Sequence, residues 1–120
     1  MSTVYSLTAF QPSMCVDGIT ANPSASDLNI CLSDLDQPSP WLAVALAVPS
    51  VVSEVIVYGR SDCCNDRFLD AFEVYLTTTG GEVLCGSGTA SQRVASVNTI
   101  TCGDRRGSAV TLRLPGASRT

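Results

Sequence analysis

The fold class is decided by FEVYLTTTGGEVLCG, residues 72–86. Its first five residues alternate between apolar and polar side chains, as in a strand with one buried face and one solvent-exposed face. Gly80-Gly81 separates this run from a second β-prone run, and paired glycines in such a place predict a hairpin turn. The stretch therefore predicts two antiparallel strands, with Phe72, Val74 and Leu76 in the core.

Three further runs have the same β-prone character: VVSEVIVYG (51–59), NTITCG (98–103) and SAVTLRLPG (108–116). Helical periodicity is almost absent, and Gly and Pro punctuate the runs. Strands at this spacing are typical of an antiparallel sandwich or barrel, so we predict an all-β fold with little or no helix. Residues 11–40 are rich in Ser, Pro, Asn and Asp and should form long ordered loops over one end. The other residues expected in the core are Trp41, Val44, Leu46, Val55 and Val57.

Length and charge limit the possible functions. A chain of 120 residues is enough for one domain with one core, and we expect residues 1–120 to form it. The net charge of −4 disfavours nucleic acid and anionic membranes as partners, because both require concentrated positive charge. The longest apolar stretch, residues 41–52, contains Pro49 and is too short for membrane insertion. The first ten residues have no pattern of a secretion signal.

The chain has six cysteines and no histidine. An even, high cysteine count permits three disulfides and predicts a secreted protein in an oxidising compartment. The lack of histidine excludes Ser-His-Asp and Cys-His catalysis, HExxH metalloprotease sites and Cys2His2 zinc sites. Since no other nucleophile motif is present, we expect that the protein is not an enzyme.

The stretch GRSDCCNDR, residues 59–67, places two cysteines side by side. Adjacent Cα atoms lie about 3.8 Å apart, below the usual disulfide range of about 4.4–6.8 Å. A Cys63–Cys64 bond would therefore close a small strained ring that presents a rigid, flat, apolar sulfur surface. Pairing with distant cysteines and a reversible redox switch are the alternatives. The pair lacks the C-x-x-C spacing and helix start that lower a thiol's pKa, which disfavours a redox protein.

Charged residues flank this pair. Arg60 and Arg67 offer planar forks of donors suited to oxygen-rich ligands, and Asp62 could orient one of them. Two arginines, a carboxylate and an apolar plate together suit a monosaccharide, whose hydroxyls need directed hydrogen bonds and whose C–H face needs a flat contact. A surface loop with ordinary salt bridges is the alternative interpretation.

RSDCCNDR, followed by FLDAFEV, resembles the signature of the F-type lectins, the fucose-binding lectin domain. Further features match this family in order along the chain: VDG at 16–18, Cys31, PW at 40–41, LCG at 84–86, Cys102 and VTLRLPG at 110–116. The resemblance implies a β-sandwich of the jelly-roll type, with the sugar site in loops at one end. It also implies fucosylated glycans as partners.

The resemblance assigns roles to the motif's residues. Arg60 and Arg67 match the two basic residues that hydrogen-bond fucose, and Asp62 matches the acid that supports them. Cys63–Cys64 matches a vicinal disulfide that packs against the sugar ring. A second family disulfide matches Cys85–Cys102.

The chain departs from the family pattern at several positions. The family's ligand histidine corresponds to Ser33, whose hydroxyl is shorter and neutral. The family partner of Cys31 lies in a final strand that is missing here, and Cys15 has no counterpart that we can place. A Cys15–Cys31 bond would restore the even count, with free thiols or an intermolecular bridge as alternatives.

Calcium is the one cofactor that the resemblance suggests. Asp17, Asn22 and Ser24 lie in the loop that holds Ca²⁺ in the family, but the family's carboxylate from the last strand is absent. Because calcium needs about six to eight oxygen ligands, we expect at most a weak site. Tandem arrays are common in the family, so an oligomer or one repeat of a longer protein is also expected.

Two functions follow from the sequence. The first is a non-enzymatic lectin module that binds fucose or fucosylated glycans in recognition or adhesion. The alternative is a diverged module of the same fold, with weak or no sugar binding, that serves as a protein-interaction or structural domain. Ser33 and the short C-terminus motivate the alternative.

Overall fold

The computed structural model describes residues 1, 9–21, 23–24, 26–27, 29–34, 36–64, 71–88 and 97–117. These residues form a short 3-10 helix, Pro12–Cys15, and four strands: β1 (Trp41–Tyr58), β2 (Phe72–Thr78), β3 (Gly81–Gly88) and β4 (Val97–Arg113). The strands make one antiparallel sheet in the order β1-β4-β2-β3. The predicted all-β fold is confirmed. In the described part of the chain, no helix is long and apolar enough to cross a bilayer.

The predicted hairpin is the β2–β3 pair. Thr78 pairs with Gly81, so the two-residue loop is Thr79-Gly80, one residue earlier than the two glycines suggest. Gly81 opens β3 with a φ of 112°, a left-handed conformation that suits glycine. The Thr78 hydroxyl closes the turn, since it accepts from the Gly80 amide (3.2 Å) and donates to the Gly81 carbonyl (2.8 Å).

The long strands β1 and β4 pair along most of their length, with register shifts between Ala45 and Ser50 and between Val52 and Glu54. On its other side, strand β2 pairs with the C-terminal part of β4, from Ala109 to Arg113. Shifts of this kind bend a strand and increase its twist. The bend matters because the two halves of the long pair then contribute to one core.

The core combines residues from both halves of that pair. Phe72 and Val74 from β2 cluster with Ile100 from the N-terminal half of β4 and with Leu114, just beyond its end. Val55, Val57, Cys85, Val110 and Leu112 pack against this cluster. The disulfide Cys85–Cys102 joins β3 to the same half of β4, with 4.6 Å between the Cα atoms.

The core predictions hold at the centre of the fold and fail at its edge. Phe72, Val74 and Leu76 are fully buried, as predicted. The prediction for Trp41 is wrong, because 41 % of its surface is exposed. Trp41 begins β1, which among the described strands lies at the edge of the sheet and pairs with β4 alone, so fewer of these strands cover it. The remaining predicted residues are half-buried: Val44, Leu46, Val55 and Val57.

A polar cluster links β2, β3 and β4 around Tyr75. The Arg113 guanidinium lies 4.6 Å from the centre of the Tyr75 ring and bonds Glu82 at 3.1 Å. The Tyr75 hydroxyl donates to Glu73 at 2.8 Å. This hydrogen bond, with desolvation and the Glu73 charge, raises the pKa of the Tyr75 phenol. These contacts connect side chains from all three strands.

Replacing Gly107 by alanine should destabilise the fold. A Cβ there would lie 2.5 Å from the Leu76 Cδ1 and 2.7 Å from the Thr77 carbonyl oxygen, which is backbone and cannot turn aside. Overpacking of this kind costs about 1–3 kcal/mol in the free energy of unfolding. Urea denaturation measures the loss. Gly80→Ala is the matched control, since its nearest atom would be 3.8 Å away. Equal stability of the two variants would contradict the close packing.

Candidate functional site

The loop of residues 59–64 follows β1 directly and carries most of the predicted site. It begins at Gly59, which is buried. Ser61 then fastens it to the N-terminal loops with two hydrogen bonds to the Pro23 carbonyl, from its amide (2.6 Å) and its hydroxyl (3.0 Å). The predicted loops over one end are therefore in contact with the predicted site. Sequence reasoning missed this anchor, because a backbone carbonyl as acceptor leaves no residue pattern.

Arg60 and Asp62 form a two-pronged ion pair. The guanidinium donates from Nε to Oδ1 at 2.8 Å and from Nη2 to Oδ2 at 2.7 Å. The Arg60 side chain is only 14 % exposed and that of Asp62 is 31 % exposed. Bidentate pairs hold the guanidinium plane in one orientation and are stronger than single hydrogen bonds. The carboxylate that the sequence proposed as an orienting group thus bonds the arginine two positions before it.

The cysteine pair lies next to this ion pair. Cys63 and Cys64 are joined in a disulfide with 3.7 Å between their Cα atoms, and both are half-buried. Cys64 has a φ of 73°, a left-handed conformation that is uncommon outside glycine. The Cys63 amide donates to Asp62 Oδ1 at 3.0 Å. Asp62 therefore links the two parts of the site, because it orients the guanidinium and holds the start of the disulfide ring.

The remaining residues of the predicted site lie outside this loop or outside the described part of the chain. Arg67, the second basic residue, lies outside the described residues. Ser33 is buried at 7 % exposure, and its hydroxyl has no hydrogen-bond partner within the described part of the chain. Cys15 and Cys31 form the remaining disulfide, with Cα atoms 5.3 Å apart. All three disulfides are the pairs expected from the sequence.

The residues predicted to hold calcium use their oxygens locally. Asp17 Oδ1 accepts from the Ile19 amide at 2.9 Å. The Ser24 hydroxyl donates to Asp27 at 2.7 Å, and its amide donates to Asn29 at 2.7 Å. Asn22 lies outside the described residues. Among the residues that are described, no three acidic or cysteine side chains cluster as metal ligands would.

An apolar groove of about 470 Å³ adjoins the site and was not anticipated. It lies between residues 14–20, 23 and 29–33 and the strands β1 and β4, and both Arg60 and Ser33 line it. Five of its lining residues are large, apolar and exposed: Val16, Ile19, Trp41, Ile56 and Tyr58. Val16 and Ile19 were the signal in the sequence, as apolar residues within a stretch rich in polar ones.

The architecture is that of known sugar-binding proteins. A fucolectin from the serum of the striped bass, Morone saxatilis, matches 98 % of this chain with a TM-score of 0.82 and 24 % sequence identity. The chain has an F-type lectin-like fold. It spans 41 % of the length of the bass lectin. Neither a protein-family model nor a curated protein matches the sequence.

Two further structures share the F-type lectin-like fold over most of their own length. The lectin domain of lectinolysin, solved with the Lewis B antigen, has a TM-score of 0.76 and 16 % identity. A fucose-binding module from Streptococcus pneumoniae has a TM-score of 0.77 and 19 % identity. Each match covers 98 % of this chain, and they cover 81 % and 82 % of the two structures respectively.

The disulfide in the site loop, Cys63–Cys64, and the disulfide next to the core, Cys85–Cys102, should differ in their effect on stability. Cys85–Cys102 closes a loop with a sequence separation of 17, whereas Cys63–Cys64 joins neighbours. In the chain-entropy account, a loop of about 15 residues contributes about 3 kcal/mol, and an adjacent pair constrains the unfolded chain very little. We therefore expect Cys85→Ala/Cys102→Ala to lose about 3 kcal/mol of unfolding free energy.

The matched variant Cys63→Ala/Cys64→Ala should lose less than about 1 kcal/mol under the same conditions. Guanidinium denaturation of the oxidised proteins compares the two. Equal losses for the two variants would show that the vicinal pair stabilises the fold as strongly as the core disulfide, which would contradict the chain-entropy account.

Proposed function

We propose that this chain is a carbohydrate-binding module that recognises fucose or fucosylated glycans through Arg60, Asp62 and the Cys63–Cys64 disulfide. The observation that supports this most strongly is the oriented guanidinium of Arg60 next to the vicinal disulfide, in the loop that follows β1 of an F-type lectin-like fold. The likeness to a fucolectin, to a lectin domain solved with the Lewis B antigen and to a fucose-binding module is in keeping with it.

The arginine and the disulfide would contact different parts of a sugar. A guanidinium has five N–H donors, and Asp62 takes two of them along one edge. The plane held in this way directs Arg60 toward ring and hydroxyl oxygens without the rotamer freedom of an exposed arginine. The disulfide offers an apolar surface for the C–H face of the ring. Pre-organisation of this kind favours binding, because little side-chain entropy remains to be lost.

Two residues complete the proposed site. Arg67 is the second basic donor that the resemblance implies. Ser33 corresponds in the same resemblance to the family's histidine, and a buried serine offers one short, neutral hydroxyl. The loss of one directed hydrogen bond costs about 0.5–1.5 kcal/mol, so we expect an affinity roughly three- to tenfold below that of a site with the histidine.

The setting that we propose is extracellular recognition or adhesion without catalysis. Three disulfides fit an oxidising compartment. A single weak site gains from clustering, through an oligomer or a tandem array, since linked sites bind with avidity. Calcium has no assigned role in this proposal, because Asp17 and Ser24 bond within their own loop.

Replacing Arg60 should weaken sugar binding. A hydrogen bond to a charged group contributes about 1.5–3 kcal/mol, so Arg60→Ala should weaken L-fucose binding at least tenfold. Isothermal titration calorimetry of the oxidised protein measures this. Arg105→Ala is the matched control, since Arg105 is exposed on β4 and its loss should leave the affinity unchanged. Equal affinity of Arg60→Ala and the wild type would refute the assigned site.

The buried Ser33 in place of a histidine favours one alternative, a diverged module that binds a protein instead of a sugar. The same variants separate the two functions. If neither L-fucose nor a fucosylated glycan array gives binding with the oxidised wild type, the lectin function fails. A protein partner whose binding is unchanged by Arg60→Ala would then support the alternative.

A further inference from the structure

More than half of the large hydrophobic residues that are exposed in the described part of the chain line one groove. There are five of them, and the groove lies next to Arg60. Ile19 is 54 % exposed and Val16 is 57 % exposed. Exposed apolar surface of this kind in a concave setting marks a ligand-binding groove more often than an accident of packing.

The inner wall of the groove is also apolar but contains one polar atom that needs a partner. Val44, Val55, Leu112 and Leu114 contribute to this wall. Among them lies Ser33, which is more than nine-tenths buried and whose hydroxyl has no partner within the described residues. A buried hydroxyl without a partner is costly to folding.

The groove is continuous with the proposed sugar site. Arg60 lines the groove and is also the guanidinium held by Asp62. A ligand whose sugar contacts Arg60 and the Cys63–Cys64 disulfide therefore has an apolar surface directly beside it. Ser33 also lines this groove.

We propose that the groove binds the apolar aglycone of a fucoside, so that the ligand of this chain is an amphiphilic glycoconjugate such as an alkyl or lipid-linked fucoside. This proposal rests on the fucose-binding function proposed above. The sugar accounts for the polar contacts at Arg60, and the aglycone accounts for the groove, which a free monosaccharide would leave in contact with water.

The affinity for alkyl fucosides should rise with chain length. Each methylene group that is removed from water increases affinity about three- to fourfold, within the capacity of a groove of about 470 Å³. Calorimetric titration of methyl α-L-fucoside and n-butyl α-L-fucoside into the oxidised protein tests this. We expect the butyl compound to bind at least tenfold more tightly than the methyl compound.

A matched pair of variants locates the effect. Ile19→Gln removes apolar surface from the groove at an exposed position where folding should survive, and it should reduce the butyl-to-methyl ratio below about threefold while methyl fucoside still binds. Leu84→Gln changes an equally exposed apolar residue that does not line the groove, and it should keep the tenfold ratio.

The outcomes separate this inference from the function on which it rests. Binding of methyl fucoside with no gain for the butyl compound would overturn the aglycone groove and leave the lectin site in place. A gain that survives Ile19→Gln would also overturn it, because the chain would then bind elsewhere. If neither fucoside bound, the proposed sugar site itself would be wrong, and the aglycone assignment would fail with it.

Discussion

The pairing of β1 with β4 is the constraint on which the rest of the structure depends. Both strands are long, Trp41–Tyr58 and Val97–Arg113, and their register shifts let the two halves of the pair enclose one core. The buried centre of that core, around Phe72 and Val74, is closed by Ile100 from the far half of β4. Because Gly59 follows β1 without a linker, the end of this strand also sets where the loop of residues 59–64 begins.

Within this loop, the other parts of the candidate site depend on Asp62. It holds the Arg60 guanidinium through both oxygens and accepts from the Cys63 amide. Replacing its carboxylate by an amide would remove a charged acceptor from a largely buried guanidinium, and breaking a buried ion pair is costly. The site thus combines the Arg60 guanidinium with the apolar Cys63–Cys64 disulfide, and the Asp62 carboxylate bonds both parts.

The parts of the fold that could be predicted from sequence are those with local patterns. Alternation at 72–76 predicted a strand with one buried face, and Gly80-Gly81 predicted the hairpin to within one residue. Trp41 was misplaced, because a large apolar side chain gives no sign that its strand lies at an edge. The Ser61–Pro23 anchor and the groove were missed for a similar reason, since both arise from segments that meet only in three dimensions.

The site was partly predictable because the residues that contact one another are close together in the sequence. Arg60, Asp62 and the two cysteines occupy five consecutive residues, so the sequence alone brings their chemistry together. Ser33 was identified only through the family resemblance, and nothing in its neighbours indicates that it is buried. Residue type and spacing can therefore suggest a ligand, but the exposure of each group depends on the loops around it.

The most direct test of the proposed fucose site is to follow the backbone amide resonances of ¹⁵N-labelled, oxidised protein during titration with L-fucose. We predict saturable shifts at the amides of Arg60, Asp62, Cys63 and Cys64, with the amides around Tyr75 and Arg113 unchanged. Shifts confined to the Tyr75 cluster, or no saturable shift at millimolar sugar, would contradict a fucose site built on Arg60 and the vicinal disulfide.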